Sequence, residues 1–167
     1  MDDTGQTQRL LLLSCSQRKR LDPGLLPAID RYDGPLFRVL RRYRRGVGRV
    51  EYEGKSLPDV YILSAEYGLI PSEQPIANYE RRMTMQRAEE LRPRVLADLS
   101  TILDANTNYR ELFICMGRDY LRVLAGWEIR RSQNMSVIYA DGSIGGRQAQ
   151  LYDWLYGTSP TLPDIFD

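Results

Sequence analysis

Four apolar segments of this chain each run directly into a short polar cluster, and that repetition restricts the fold more than any other feature. Arg9 to Leu13 leads into Ser14-Cys15-Ser16-Gln17-Arg18-Lys19, and Val60 to Leu63 into Ser64-Ala65-Glu66-Tyr67-Gly68. Leu112 to Met116 leads into Gly117-Arg118-Asp119-Tyr120, and Ser136 to Tyr139 into Ala140-Asp141-Gly142. The first segment carries a continuous leucine run of the kind buried on both faces of a parallel sheet. Helical patterns separate the strands. Pro35 suits a first helical position before Leu36, Phe37, Val39 and Leu40. Gly68 and Pro71 open a long loop, after which Thr84 caps a helix through Ile102 that is kinked or divided at Pro93. A short helix from Arg118 to Ala125 and a last one from Arg147 to Tyr156 complete the pattern, with strands expected over Arg9–Ser14, Asp59–Ser64, Glu111–Met116 and Ser136–Tyr139. Strand and helix in alternation predict an α/β fold, a single three-layer domain around a mostly parallel central sheet. Parallel strands bring all four polar clusters to one edge, where ligands of open α/β sheets bind.

A chain of 167 residues fits one domain, expected over residues 9–156, with residues 1–8 and 157–167 as frayed ends. The net charge is +1, so no overall field draws the protein to nucleic acid or anionic membrane. Positive charge is nevertheless clustered, at Arg38, Arg41, Arg42, Arg44 and Arg45 and again at Arg81, Arg82, Arg87, Arg92 and Arg94. Each cluster reads either as a solvated helix face or as a phosphate-contacting patch. The chain has no histidine, which removes Ser-His-Asp and Cys-His chemistry and every histidine-containing metal site. Cys15 and Cys115 sit in or beside apolar strands and are expected as reduced thiols of a cytoplasmic protein; no metal or cofactor is expected. The polar start and the absence of a membrane-length apolar run point the same way.

Candidate chemistry concentrates in the strand-end clusters. Ser14, Cys15, Ser16, Arg18 and Lys19 combine hydroxyl, thiol and cationic groups that can meet an anion, without the glycines of a Walker loop. A nearby cation favours the Cys15 thiolate as a nucleophile; the alternative is a small residue packed under the sheet edge. Asp141 can orient water or a ribose hydroxyl, or cap a helix. The glycine-rich stretch after it, with Gly145, Gly146 and Arg147, opens a helix whose free N–H groups suit phosphate or merely make a turn. Ser64, Glu66, Tyr67, Gly68 and Tyr79 put an acid, two phenols and a hydroxyl near the second strand end, where Tyr67 or Tyr79 can stack on a base and Glu66 can act on water or ribose. Tyr32, Asp33 and Gly34 reach the same rim or form a turn, and Gly117 and Arg118 follow the third strand. Eleven tyrosines against three phenylalanines favour rings with a polar tip, suited to half-wet pockets.

The segments Tyr61-Ile62-Leu63-Ser64-Ala65-Glu66-Tyr67-Gly68-Leu69-Ile70 and Pro75-Ile76-Ala77-Asn78-Tyr79-Glu80-Arg81-Arg82-Met83 resemble the corresponding motifs of the YaaA-like peroxide stress proteins. The opening Ser14 to Lys19, Tyr32 to Phe37 and the closing Gly142 to Leu151 resemble the short relatives of that family, so the likeness covers most of the chain. The Cys-Ser-x-x-Lys start is similar to a segment of archaeosine synthase domains, which are related to the uracil-DNA glycosylase fold. The resemblance implies an α/β domain associated with a nucleobase, nucleotide or nucleic acid. The chain is shorter than the peroxide stress proteins, and Arg82 stands where they carry an acid. Two expectations follow: a pocket protein that acts on a glycosidic bond or modified base, with Ser16, Lys19 and the Gly145-Gly146 turn on phosphate; or a non-catalytic DNA-binding stress protein using its arginine clusters. A hydrolase built on Cys15 is a third class.

Overall fold

The computed structural model describes residues 7–47, 57–130 and 134–157. Apart from Thr7, Gln8 and Gly157, the expected frayed ends lie outside the described residues. Gln8 already belongs to the first strand, and Gly157 caps the last helix with φ of 63°.

The elements in chain order are β1 (Gln8–Ser14), β2 (Leu26–Pro27), α1 (Ala28–Arg31), α2 (Pro35–Val47), β3 (Asp59–Ser64), β4 (Gly68–Pro71), β5 (Pro75–Ile76), α3 (Met85–Ala105), β6 (Tyr109–Cys115), α4 (Arg118–Leu121), β7 (Ser136–Tyr139) and α5 (Ile144–Tyr156). Two 3₁₀ turns, Arg122–Leu124 and Trp127–Arg130, lie between α4 and β7. The central sheet has the order β4-β3-β1-β6-β7, parallel throughout except for β4. Among the described residues no helix is long and apolar enough to cross a membrane.

The leucine run explains itself once β1 is central. Leu10, Leu11, Leu12 and Leu13 are all fully buried. Successive side chains of a strand point to opposite faces. Leu10 and Leu12 therefore pack with Ala88, Leu91, Val95 and Leu99 of α3, while Leu11 and Leu13 pack with Phe37, Leu40 and Tyr43 of α2 and Leu151 and Leu155 of α5. Burying each such side chain contributes about 1.5–3 kcal/mol. The result is a sheet covered by helices on both faces, the three-layer α/β domain that the alternation predicts. Arg9 closes one end of it: its guanidinium donates to the Trp154 and Leu155 carbonyls at 2.8 and 3.3 Å and to Tyr43 Oη at 2.9 Å.

Three local readings are corrected, and that of Pro93 is narrowed. Gly68 and Pro71 do not open a long loop but bound β4, which folds back antiparallel on β3, with Ser64 opposite Gly68. Pro93 lies inside one continuous helix rather than at a join of two. The segment after Gly117 is one turn of α-helix followed by 3₁₀. The last helix begins at Ile144, so Gly145 and Gly146 form its first turn rather than a loop before it. The expected cap holds at α3, where Thr84 Oγ1 accepts from the Arg87 N–H at 3.0 Å.

Candidate functional site

The parallel strands end on one edge, because the register sets Ser14 beside Leu63, Leu13 beside Cys115 and Ile114 beside Tyr139. The chain leaves β1 toward α2 on one face and leaves β6 toward α4 on the other. Such a switch opens a crevice at the strand ends. Cys15 stands on one side of it and Tyr120 on the other, with Sγ and Oη 3.0 Å apart.

Behind Cys15 lies a cluster of hydroxyls. Tyr79 Oη is 2.6 Å from Tyr32 Oη and 2.9 Å from Ser64 Oγ. Ser64 Oγ also accepts the Glu66 and Tyr67 backbone N–H groups, each at 3.1 Å, which fixes its orientation in the hairpin turn. Lys19 Nζ lies 4.5 Å from the centre of the Tyr79 ring and donates to the Gln17 carbonyl at 3.3 Å. Burial, and then the neighbouring Cys15, push the Tyr32, Tyr79 and Tyr120 phenols well above the usual tyrosine range, so they stand as neutral hydroxyls. Desolvation lowers the Lys19 ammonium, opposed by attraction to Cys15 and Glu80.

Two depressions meet at this point. The first, about 460 Å³, has a wall of Pro35, Leu36 and Ile144 and polar groups from Ser14, Ser16 and Arg147. The second, about 570 Å³, is lined by Lys19, Arg81 and Arg82 together with Glu80 and Asp119. Cys15, Ser16, Gln17 and Tyr120 belong to both and form the ridge that joins them. Both volumes lie within the roughly 300–1,000 Å³ typical of ligand sites. Arg147 lines the first, and its Nε is buried within the protein without a hydrogen-bond partner among the described residues. A Cβ on Gly117 would stand 3.3 Å from Arg147 Nη1, so bare backbone at 117 admits the guanidinium. The loop after β1 is equally tight against α2, since a Cβ on Gly34 would stand 2.8 Å from Ser16 Cβ.

Of the residues singled out by sequence, Ser14, Cys15, Ser16, Arg18, Gly34, Gly117 and Arg147 line the first depression, and Lys19 joins Cys15 and Ser16 in the second. Tyr32, Ser64 and Tyr79 support Cys15 from behind. Lys19 lies over a face of the Tyr79 ring, and Tyr67 and Tyr32 pack against the same ring in T-shaped arrangements. Asp33 is bound by Arg41 at 2.7 Å and by Arg38 at 3.3 Å, and hydrogen bonds from Arg38 and Arg41 hold its carboxyl below the usual range. Glu66 pairs with Arg81 at 3.4 Å. Gly68 serves the turn into β4 with φ of 79°. Arg118 is exposed at the start of α4 and lines neither depression. Asp141 is exposed and lines neither; Ser143 caps α5 instead, its Oγ accepting from the Gly146 N–H at 3.2 Å.

Much of both arginine clusters holds the fold. Arg41 donates to the Ile29 and Tyr32 carbonyls, Arg44 pairs with Glu73, Arg87 donates to the Ala65 and Glu66 carbonyls, and Arg92 to the Arg122 carbonyl. The sequence pattern puts Tyr120 in a strand-end cluster without giving it a role, and it assigns none to Gln17 or Glu80. One helical turn separates Gly117 from Tyr120, and that turn brings the phenol back over β1.

Comparison with known proteins is consistent with this fold. A crystal structure of AF0587, a protein of unknown function, aligns over 92% of this chain with 15% identity and a TM-score of 0.51. The alignment covers 46% of that protein, so this chain spans about half its length. No curated protein matches the chain. Residues 10–153, from β1 into α5, match a family described as of unknown function, and the chain belongs to that family, DUF6884.

Proposed function

We propose that this protein binds a nucleotide unit, free or within a strand, across the ridge of Cys15 and Tyr120. The observation that carries the reading is the contrast between two depressions that share one ridge. A nucleotide has the same division. Its flat base suits the apolar wall of Pro35, Leu36 and Ile144, with a base carbonyl accepting from the Arg147 guanidinium that lines the same depression. Its sugar and phosphate suit the second depression, where Glu80 and Asp119 can accept hydroxyl protons and Lys19 and Arg82 supply positive charge. The resemblance to proteins associated with nucleobases and nucleic acid points to the same ligand class. The rival reading, a DNA surface along the arginine clusters, is weakened by the intramolecular partners of Arg41, Arg44, Arg87 and Arg92.

Calorimetric titration with UMP, CMP, AMP and GMP tests the proposal. At least one should bind, and Arg147→Gln should weaken it about tenfold or more, since a hydrogen bond to a charged group contributes about 1.5–3 kcal/mol. Absence of binding by all four and by a short single-stranded oligonucleotide would overturn the reading.

A further inference from the structure

We infer that Cys15 is a covalent nucleophile toward a pyrimidine nucleotide, adding to ring carbon 6 with Tyr120 as proton relay. The inference rests on the nucleotide reading above and deepens it. Cys15 is partly exposed and lines both depressions, so its sulfur lies under the junction of base and sugar when a nucleotide spans the ridge. In a pyrimidine, carbon 6 is one of the two ring carbons beside the glycosidic nitrogen, the other being the carbonyl carbon 2. It is electron-poor, because its double bond to carbon 5 is conjugated with the carbonyl or imine carbon at position 4. The thiol thus meets the ring carbon at that junction that accepts an electron pair by conjugate addition.

The surroundings suit the step. Tyr120 Oη stands 3.0 Å from Sγ, and burial keeps its phenol neutral. Lys19 lines the second depression together with Cys15, and its positive charge there favours negative charge developing on the sulfur. Sγ forms a bond to carbon 6 as the 5,6 π bond breaks and its electron pair moves to carbon 5. The thiol proton passes to Tyr120 Oη while the tyrosine proton passes on to carbon 5, directly or through water. The net change is addition of S–H across one double bond, without oxidant, reductant or leaving group. Elimination reverses it. Cys115, the other thiol, is fully buried with its acidity pushed down by burial, and it serves as an internal control.

The adduct carries two hydrogens on carbon 5, and elimination that takes the original one to solvent exchanges it, which gives a direct assay. UMP and CMP are incubated with the protein in deuterium oxide and the carbon-5 proton signal is followed by NMR. The wild-type protein should remove the signal of at least one of them at least tenfold faster than buffer. Cys15→Ser should give no exchange even at nucleotide concentrations that saturate it, and Tyr120→Phe should slow exchange at least tenfold. Binding of UMP or CMP without exchange would overturn the inference and leave the nucleotide reading standing. Exchange that persists in Cys15→Ser would overturn it too, as would binding of AMP or GMP alone. Failure of every nucleotide to bind would remove both.

Discussion

Gly34→Ala tests whether the loop after β1 is set by contact with the start of α2. The new Cβ would stand 2.8 Å from Ser16 Cβ and 3.4 Å from Ser16 Oγ. Carbon atoms meet comfortably at about 3.5–4.0 Å, so the overlap is on the order of 1 Å. Ser16 Cβ is bonded to the backbone and cannot swing aside as a side-chain tip would. The loop is also anchored, by the Asp33 N–H donating to the Arg18 carbonyl at 2.9 Å, by a bridge between Lys19 and Tyr32, and by Ser16 Oγ donating to the Arg18 carbonyl at 2.7 Å. Overpacking of this kind costs about 1–3 kcal/mol. For a chain of this size that lowers the melting temperature by roughly 2–10 °C. Calorimetry on four proteins decides it: wild type, Gly34→Ala, Ser16→Gly and the double variant. The double variant should recover at least about 1 kcal/mol relative to the sum of the singles, because Ser16→Gly removes the atom that the new methyl group strikes. A Gly34→Ala protein as stable as wild type, or a strictly additive double variant, would refute the argument. Nucleotide binding should weaken in parallel, since Ser16 lines both depressions.

Alkaline pH should destabilise the fold. Burial raises the Cys115 thiol from 9.0 to about 11 and moves Tyr32, Tyr79 and Tyr120 in the same direction. The unfolded chain therefore loses these protons first, and stability falls as pH rises from about 9 to 11, by up to about 3 kcal/mol from Cys115 alone. The lowered Lys19 acts in the opposite sense. Urea midpoints measured from pH 8 to 11 should decline, and a flat profile would contradict the burial argument. Asp141→Asn should leave both melting temperature and nucleotide affinity unchanged, since Ser143 is the cap and Asp141 lines neither depression; a tenfold loss of affinity would restore Asp141 to the site.

The layers are legible in the sequence where burial is continuous or a cap is explicit. Four consecutive leucines fit a central strand buried on both faces, and Thr84 marks the start of α3. The hidden elements are those whose pairing is tertiary. β2 and β5 are two residues each and exist because Leu26 pairs with Ile76 across the fold. β4 hides because Gly68 and Pro71 look like loop residues although they bound a short edge strand. The site divides similarly. Cys15, Ser16, Lys19 and Arg147 follow from the rule that ligands sit at strand ends. Asp33 and Glu66 look available as chemical groups, yet Arg41, 8 residues on from the first, and Arg81, 15 residues on from the second, fold back on them. Composition alone cannot carry that fact. Tyr120 reaches Cys15 only through the α4 turn.

The most direct measurement is a crystal structure of the protein with bound UMP. The account predicts the uracil ring against Pro35 and Ile144 with a carbonyl oxygen on Arg147, the ribose over the ridge of Cys15 and Tyr120, and the phosphate toward Lys19 and Arg82. A nucleotide lying along the arginines of α2, with the strand-end crevice empty, would contradict it.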